Sequence, residues 1–157
     1  MTDFIIMVEN SSYMFVTGPN VVKTVTNEEV SSEALGGAHT HATKSGVTHL
    51  TAQDDLDCIA QVRKLISYIP QNCEEKVPDL DYVLSDEMRP ELNDIIPENA
   101  NQPYDIKEVI THIIDVSTFY EIQEEFADNI VVGFARLAGK CIGIVANQPM
   151  VLAGCLD

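Results

Sequence analysis

Positive charge is scarce in this sequence. Nine lysines and arginines stand against 25 aspartates and glutamates, leaving a formal net charge of -16 over 157 residues. Such a balance opposes attraction to nucleic acid phosphates and to anionic membrane surfaces, so neither is expected as a partner. The cysteines are few and scattered: Cys58, Cys73, Cys141 and Cys155 form no CxxC pair. That pattern excludes a small disulfide scaffold and favours a reducing compartment. No apolar run reaches the roughly 18 residues of a membrane span. Met1-Thr2-Asp3-Phe4 does not open a signal peptide, so the chain reads as soluble. What is present is enough apolar material, 45% of residues, to bury one core or two incomplete ones, which argues against disorder.

The stretch from Phe4 to Ile69 opens with two strand-like runs, Phe4 to Val8 and Tyr13 to Val16, separated by Glu9-Asn10-Ser11-Ser12. Gly18-Pro19 then suits a helix start, with Val21, Val22 and Val25 available to a core and an end near Thr26-Asn27. Ser31 can cap a further turn that stops at Gly36-Gly37, where the chain can reverse without a side-chain clash. Thr40 to Leu50 reads as irregular chain with a short strand around Val47. A helix is predicted over 54–69, where Cys58, Val62, Leu65 and Ile69 recur at helical spacing and Asp54, Asp55 and Asp57 favour its positive end.

Character changes between Pro70 and Pro103, where five of the seven prolines sit among Asp, Glu and Asn residues; this segment reads as an interdomain connector. Asp105 and Glu108 form a possible capping box for a helix carrying Ile106, Val109, Ile110, Ile113 and Ile114. Phe119 to Ile122 is a predicted strand, and Ile130 to Leu137 pairs with Cys141 to Ala146 across Ala138-Gly139-Lys140. The sequence then stops without the crossover helix and next strand of an α/β domain, and it begins with an apolar strand that nothing precedes. The expectation is a central piece: the end of one α/β unit, a connector, and the start of another.

Three stretches carry a resemblance: Tyr13 to Val30 (YMFVTGPNVVKTVTNEEV), Leu35 to His49 (LGGAHTHATKSGVTH) and Asn129 to Asp157 (NIVVGFARLAGKCIGIVANQPMVLAGCLD). In this order, and separated by a linker, they resemble the carboxyltransferase subunits of biotin-dependent acyl-CoA carboxylases, nearest the propionyl-CoA branch. The resemblance implies an α/β, crotonase-like (ClpP/crotonase) fold of two halves built on a β-β-α superhelix. Residues 1–69 would close the first, N-terminal carboxyltransferase domain, 70–103 would link, and 104–157 would open the second, C-terminal one.

The implied reaction moves a carboxyl group from carboxybiotin to the α-carbon of propionyl-CoA through an enolate. Enolate oxygens need preorganised donors, which backbone amides at glycine-rich turns supply. In the family those turns lie outside this stretch, so no catalytic residue is assigned to it and the chain alone is expected to be inactive. The implied cofactor is biotin on a partner subunit that also carries biotin carboxylase, with coenzyme A as part of the substrate and no metal. The full-length protein is implied to form a homo-oligomer, in the cytoplasm or, in a eukaryote, the mitochondrial matrix. With so few cations, groups for the coenzyme A phosphates must be local or lie elsewhere.

Candidate binding residues within the chain are Gly36, Gly37 and Ala38, and the Asn147-Gln148 pair before Pro149. The glycines can bring amides near a phosphate or carbonyl, though a helix stop accounts for them and is the default. Asn147 and Gln148 end a strand where open α/β sheets bind ligands, and strand-ending turn chemistry explains them equally. His39, His41 and His49 lack a supporting ligand framework, so loop hydrogen bonding is preferred to a metal site. His112 reads as a helix-surface residue rather than a base. Ser45-Gly46 and Ser117 lack a nucleophile-elbow pattern, and acyl hydrolysis is set aside. The pairs Glu28-Glu29, Glu74-Glu75 and Glu124-Glu125 read as solvated surface. Two further readings stand beside the carboxylase: a methylmalonyl-CoA decarboxylase component running the same half-reaction in reverse, and a non-catalytic acidic interaction module.

Overall fold

The computed structural model describes residues 2–82, 89–99 and 101–156, and it is an α/β protein in two compact units, Met1–Arg63 and Lys64–Asp157. In the first unit, β1 (Ile6–Val8) pairs in parallel with β2 (Leu50–Ala52), in the register Ile6 to Leu50 and Val8 to Ala52. Parallel strands require a long crossover. Here it consists of α1 (Pro19–Thr26), α2 (Ser32–Gly36), the single turn α3 (Ala38–Thr40) and a π-helical turn over His41–Ser45.

Local chemistry sets these boundaries. Gly18 is extended, Pro19 supplies the first helical φ of α1, and Asn27 closes the helix in a left-handed conformation with its N–H donating to the Lys23 carbonyl. Ser31 Oγ accepts the Ala34 N–H at the start of α2. Three expectations are corrected. Tyr13 to Val16 is not a strand: Tyr13 makes a single antiparallel bridge to Gly37 and Val16 is fully exposed, because a turn rather than a ladder lies opposite. Val21 and Val25 of α1 are 49% and 74% exposed, so the valine face meets no core among the described residues. The segment 40–50 is helical through Ser45 and irregular only over 46–49, and its strand starts at Leu50 rather than around Val47, since pairing with β1 sets the register.

The helix α4 (Asp55–Ile66) carries the chain across the division between the units. Asp54 Oδ1 accepts the Asp57 N–H at 2.8 Å at its start, and turn bonds replace the helix before the predicted end at Ile69. In the second unit the stretch 70–103 contains the short α5 (Leu92–Ile95); residues 83–88 and 100 of the expected connector lie outside the described residues.

The helix α6 (Ile106–Ile113) begins where expected, with Asp105 Oδ1 accepting the Lys107 N–H at 2.9 Å. β3 (Tyr120–Ile122), β4 (Ile130–Leu137) and β5 (Lys140–Asn147) form an antiparallel sheet in that order. One sheet face packs on α6: Ile110 and Ile114 are buried with Val131 and Ala135, and Ile142 and Ile144 close over them. Burial of each such aliphatic side chain stabilises by about 1.5–3 kcal/mol. The β4–β5 turn is tight, with Ala138 and Gly139 both at positive φ (51° and 76°). Asp115 secures it by accepting both their N–H groups, at 2.9 and 2.8 Å, which offsets the left-handed strain at Ala138.

Candidate functional site

Gly36, Gly37 and Ala38 join α2 to α3, and all three are buried. Their polar groups are largely spent within the first unit. Gly36 O accepts the Met14 N–H at 2.8 Å, the Gly37 N–H donates to Glu33 O at 2.9 Å, and Gly37 O accepts the His41 N–H at 3.1 Å. A Cβ on Gly36 would land on the Met14 carbonyl, and one on Gly37 would land in the Glu33 carboxylate. Gly37 has φ -76°, so close approach, not chain reversal, is what requires glycine there. The buried polar atoms left without a partner among the described residues, Glu33 Oε2 and Thr48 Oγ1, include a carboxylate acceptor beside the glycines. That surrounding is the opposite of a donor pair aimed at a developing oxyanion.

Asn147 and Gln148 end β5 in the second unit and differ sharply. Gln148 is 6% exposed. Its Nε2 donates to Asp105 Oδ1 at 2.7 Å and its Oε1 accepts the Ile106 N–H at 3.2 Å, while its own N–H donates to Asn129 O. The residue therefore fastens the end of β5 to the start of α6. Asn147 is exposed, with Nδ2 donating to Gly154 O at 2.7 Å. Beyond it Leu152, Ala153 and Gly154 all have positive φ, 48°, 52° and 76°.

An open groove of about 570 Å³ lies beside α6, lined by Asp94, Glu98, Asp105 and Glu108 with Tyr104 and Met150. Four carboxylates make it unsuitable for a phosphate. Three of the nine cations are committed elsewhere: Lys23 to Glu29 at 2.5 Å, Lys107 to Glu121 and Glu124 at 2.7 and 3.3 Å, and Arg136 to main-chain carbonyls. These residues do not build a cradle for the coenzyme A phosphates.

Burial pushes the Glu121 carboxyl above its ordinary range, and Lys107 offsets this only in part. For Lys107 burial alone lowers the value most, but the bonds and charges of Glu121 and Glu124 together raise it. Burial also raises the Tyr68 phenol and the Cys141 thiol, against the opposing charge of Arg136. Cys141 is thereby held as a thiol, donating to Tyr68 O at 3.2 Å, which disfavours it as a nucleophile.

The histidines do not converge. His49 Nδ1 accepts the Ile5 N–H at 3.1 Å, and His41 bridges Met14 O and Ser45 Oγ. Among the described residues no group of three or more His, Cys, Asp or Glu is placed to hold a metal ion. No described helix is long and apolar enough to cross a membrane. Two joints escaped sequence reasoning, Asp115 and Arg136, because their bonds to residues 23 to 69 positions away leave no local signal.

The model of the carboxyl transferase domain family matches residues 1–157. The whole chain is 56% identical to the propionyl-CoA carboxylase beta chain of Roseobacter denitrificans and 50% identical to the methylmalonyl-CoA decarboxylase subunit alpha of Veillonella parvula, in each case over 31% of the relative. It superposes on transcarboxylase 12S, described as a hexamer with hydrolysed methylmalonyl-CoA bound, with a TM-score of 0.94 and 42% identity over 99% of this chain and 31% of that one. The chain thus spans about a third of the length of the curated relatives it matches, and it shares the crotonase-like α/β fold of that structure. A full-length match to the family model, together with this identity and superposition, shows that the chain belongs to the carboxyl transferase domain family.

Proposed function

We propose that this chain is the central part of a carboxyltransferase subunit of a biotin-dependent acyl-CoA carboxylase, acting on propionyl-CoA to give methylmalonyl-CoA. The supporting observation is the 56% identity to a propionyl-CoA carboxylase beta chain along the whole chain. In this reading residues 1–69 close one carboxyltransferase domain, 70–103 connect, and 104–157 open the second. The α-carbon of the acyl thioester loses a proton to give an enolate and then forms the new carbon–carbon bond to the carboxyl group. Biotin, carried by a partner subunit with biotin carboxylase activity, supplies that carboxyl group.

The backbone amides that stabilise the enolate and the cations that hold the phosphates belong outside these residues, consistent with the acidic groove and with the pairing of Lys23 and Lys107 to carboxylates. Of the five candidate binding residues, Asn147 has the exposed side chain able to meet a ligand. Gly36, Gly37, Ala38 and Gln148 act by fixing the main chain. The full-length subunit forms a homo-oligomer and works in the cytoplasm or, in a eukaryote, in the mitochondrial matrix.

The test supplies the full-length polypeptide with its biotin-carrying partner, ATP, labelled bicarbonate and propionyl-CoA. Labelled methylmalonyl-CoA is the expected product. Absence of label, with the partner shown to carry carboxylated biotin, overturns the proposal. A second reading, a decarboxylase component, draws on the 50% identity to a methylmalonyl-CoA decarboxylase subunit. It predicts biotin-dependent release of carbon dioxide from methylmalonyl-CoA without ATP, and co-purification with a different set of partners.

A further inference from the structure

We propose that Ser45 is an acyl-acceptor nucleophile activated by His41, a site in the first unit that stands on its own geometry and not on the carboxyltransferase reading. The His41 imidazole lies with Nε2 2.5 Å from the Met14 carbonyl oxygen and Nδ1 2.7 Å from Ser45 Oγ. A carbonyl can only accept, so Nε2 bears the hydrogen. In the neutral ring Nδ1 then presents a lone pair, and the Ser45 hydroxyl donates to it. Nucleophile, base and orienting acceptor are therefore in hydrogen-bonded sequence, the arrangement that activates a serine.

The orienting carbonyl is itself fixed, because the Met14 N–H donates to Gly36 O at 2.8 Å. Ser45 is exposed at the end of the π-helical turn, just before Gly46 at φ 64°. Other hydroxyls within or just after helices behave differently. Thr24, Thr43 and Ser67 donate to the carbonyls of Asn20, His39 and Lys64, at 2.8, 2.8 and 2.6 Å. Ser45 has a similar carbonyl available, that of His41, but at 3.5 Å, well beyond the imidazole nitrogen.

The ligand class is an activated acyl ester or thioester. Ser45 Oγ attacks the acyl carbon, an Oγ–C bond forms and the bond to the leaving oxygen or sulfur breaks. The hydroxyl proton passes to His41 Nδ1 and from there to the leaving group, giving a serine ester and a free alcohol or thiol, with no change in oxidation state. The step is stoichiometric and does not require hydrolysis of the ester.

The test incubates the full-length polypeptide with p-nitrophenyl acetate and maps acetylated serines by mass spectrometry over time. Ser67 is the internal control, exposed like Ser45 but bonded to a carbonyl. Acetylation of Ser45 about 100-fold faster than of Ser67 is expected from general-base assistance, with the rapid phase of nitrophenolate release lost in Ser45→Ala. Because His41 also holds Met14, its replacement can disturb the fold, so the comparison within the unaltered protein carries the test. Acetylation of Ser45 no faster than of Ser67 would overturn the proposal.

Discussion

The guanidinium of Arg136 lies over the ring of Tyr68, 5.4 Å from its centroid, and from there donates to the carbonyls of Ser67, Pro78 and Gly139 at 2.7, 3.0 and 2.8 Å. Tyr68 in turn stacks on Tyr120 and Phe134, at 5.8 and 6.0 Å, and donates its hydroxyl to Thr118 O. One buried cation thus ties the chain after α4 to the sheet face opposite α6.

Arg136→Met keeps the apolar stem but leaves the Ser67 and Pro78 carbonyls, both on irregular chain, without their donor, while Gly139 O keeps the Leu80 N–H. Bonds to a charged donor contribute about 1.5–3 kcal/mol each, and they are not additive. The second unit is expected to lose about 3 kcal/mol, and Arg136→Lys nearly as much, since one ammonium cannot reproduce the planar fork. Urea unfolding followed by circular dichroism reads this; the chain has no tryptophan to serve as a fluorophore.

The glycines make a graded series. Gly36→Ala places a methyl on the Met14 carbonyl, which is rigid main chain, and is expected to cost about 1–3 kcal/mol. Gly37→Ala displaces the Glu33 side chain, which can swing away, and should cost less. Gly143→Ala on β5 meets nothing within 4 Å and is expected to be neutral or to stabilise by about 0.4–1 kcal/mol through the unfolded chain. Thermal unfolding of the three variants should rank them in that order, and an equal loss at Gly36 and Gly143 would contradict the close-packing account.

Elements with their own chemistry were legible in the sequence. Pro19 and Asn27 bound α1, Asp105 caps α6, and the alternation around Ala138-Gly139 marks the β4–β5 hairpin. What was misread depends on partners far away in the chain. Tyr13 to Val16 has strand composition but faces the turn at Gly36-Gly37, and the position of β2 follows from Ile6 pairing with Leu50. The same holds at the candidate sites. Asn147-Gln148 could be singled out, yet the role of Gln148 depends on Asp105 and Ile106, 43 and 42 residues earlier. Ser45 was set aside in the sequence for want of a nucleophile-elbow pattern, because the Met14 carbonyl that orients the His41 ring lies 27 residues away.

Gln148 gives a third prediction. Gln148→Leu fills the same space but leaves the Ile106 N–H without its acceptor and removes one donor from Asp105 Oδ1, which keeps the Lys107 N–H. An unsatisfied buried group costs about 1–3 kcal/mol, so a loss in that range is expected. Hydrogen exchange should show it locally, as faster exchange in the first turn of α6 than in the β4–β5 ladder. Uniform acceleration across the unit would argue against a joint at this position.

Lys107 and Glu121 join α6 to β3 with side chains 32% and 14% exposed, and their two replacements should not be equivalent. The Glu121 carboxyl titrates above its ordinary 4.5 because burial outweighs the attraction of Lys107. A group raised on folding contributes stability that is full below its ordinary value and is lost as pH rises through its folded value. Stability of the second unit should therefore fall as pH climbs through the upper carboxylate range, and Glu121→Gln should flatten that fall. At neutral pH Glu121→Gln is expected to lie within about 1 kcal/mol of the parent, since it gives up an ion pair but removes a buried charge. Lys107→Met leaves that charge buried without its cation and is expected to cost about 1–3 kcal/mol. Lys107 is raised as well, so its own contribution persists to about its ordinary 10.5 and disappears above it. Urea midpoints of both variants at several pH values test the order, and a greater loss for Glu121→Gln than for Lys107→Met at neutral pH would show that attraction, not burial, dominates this pair.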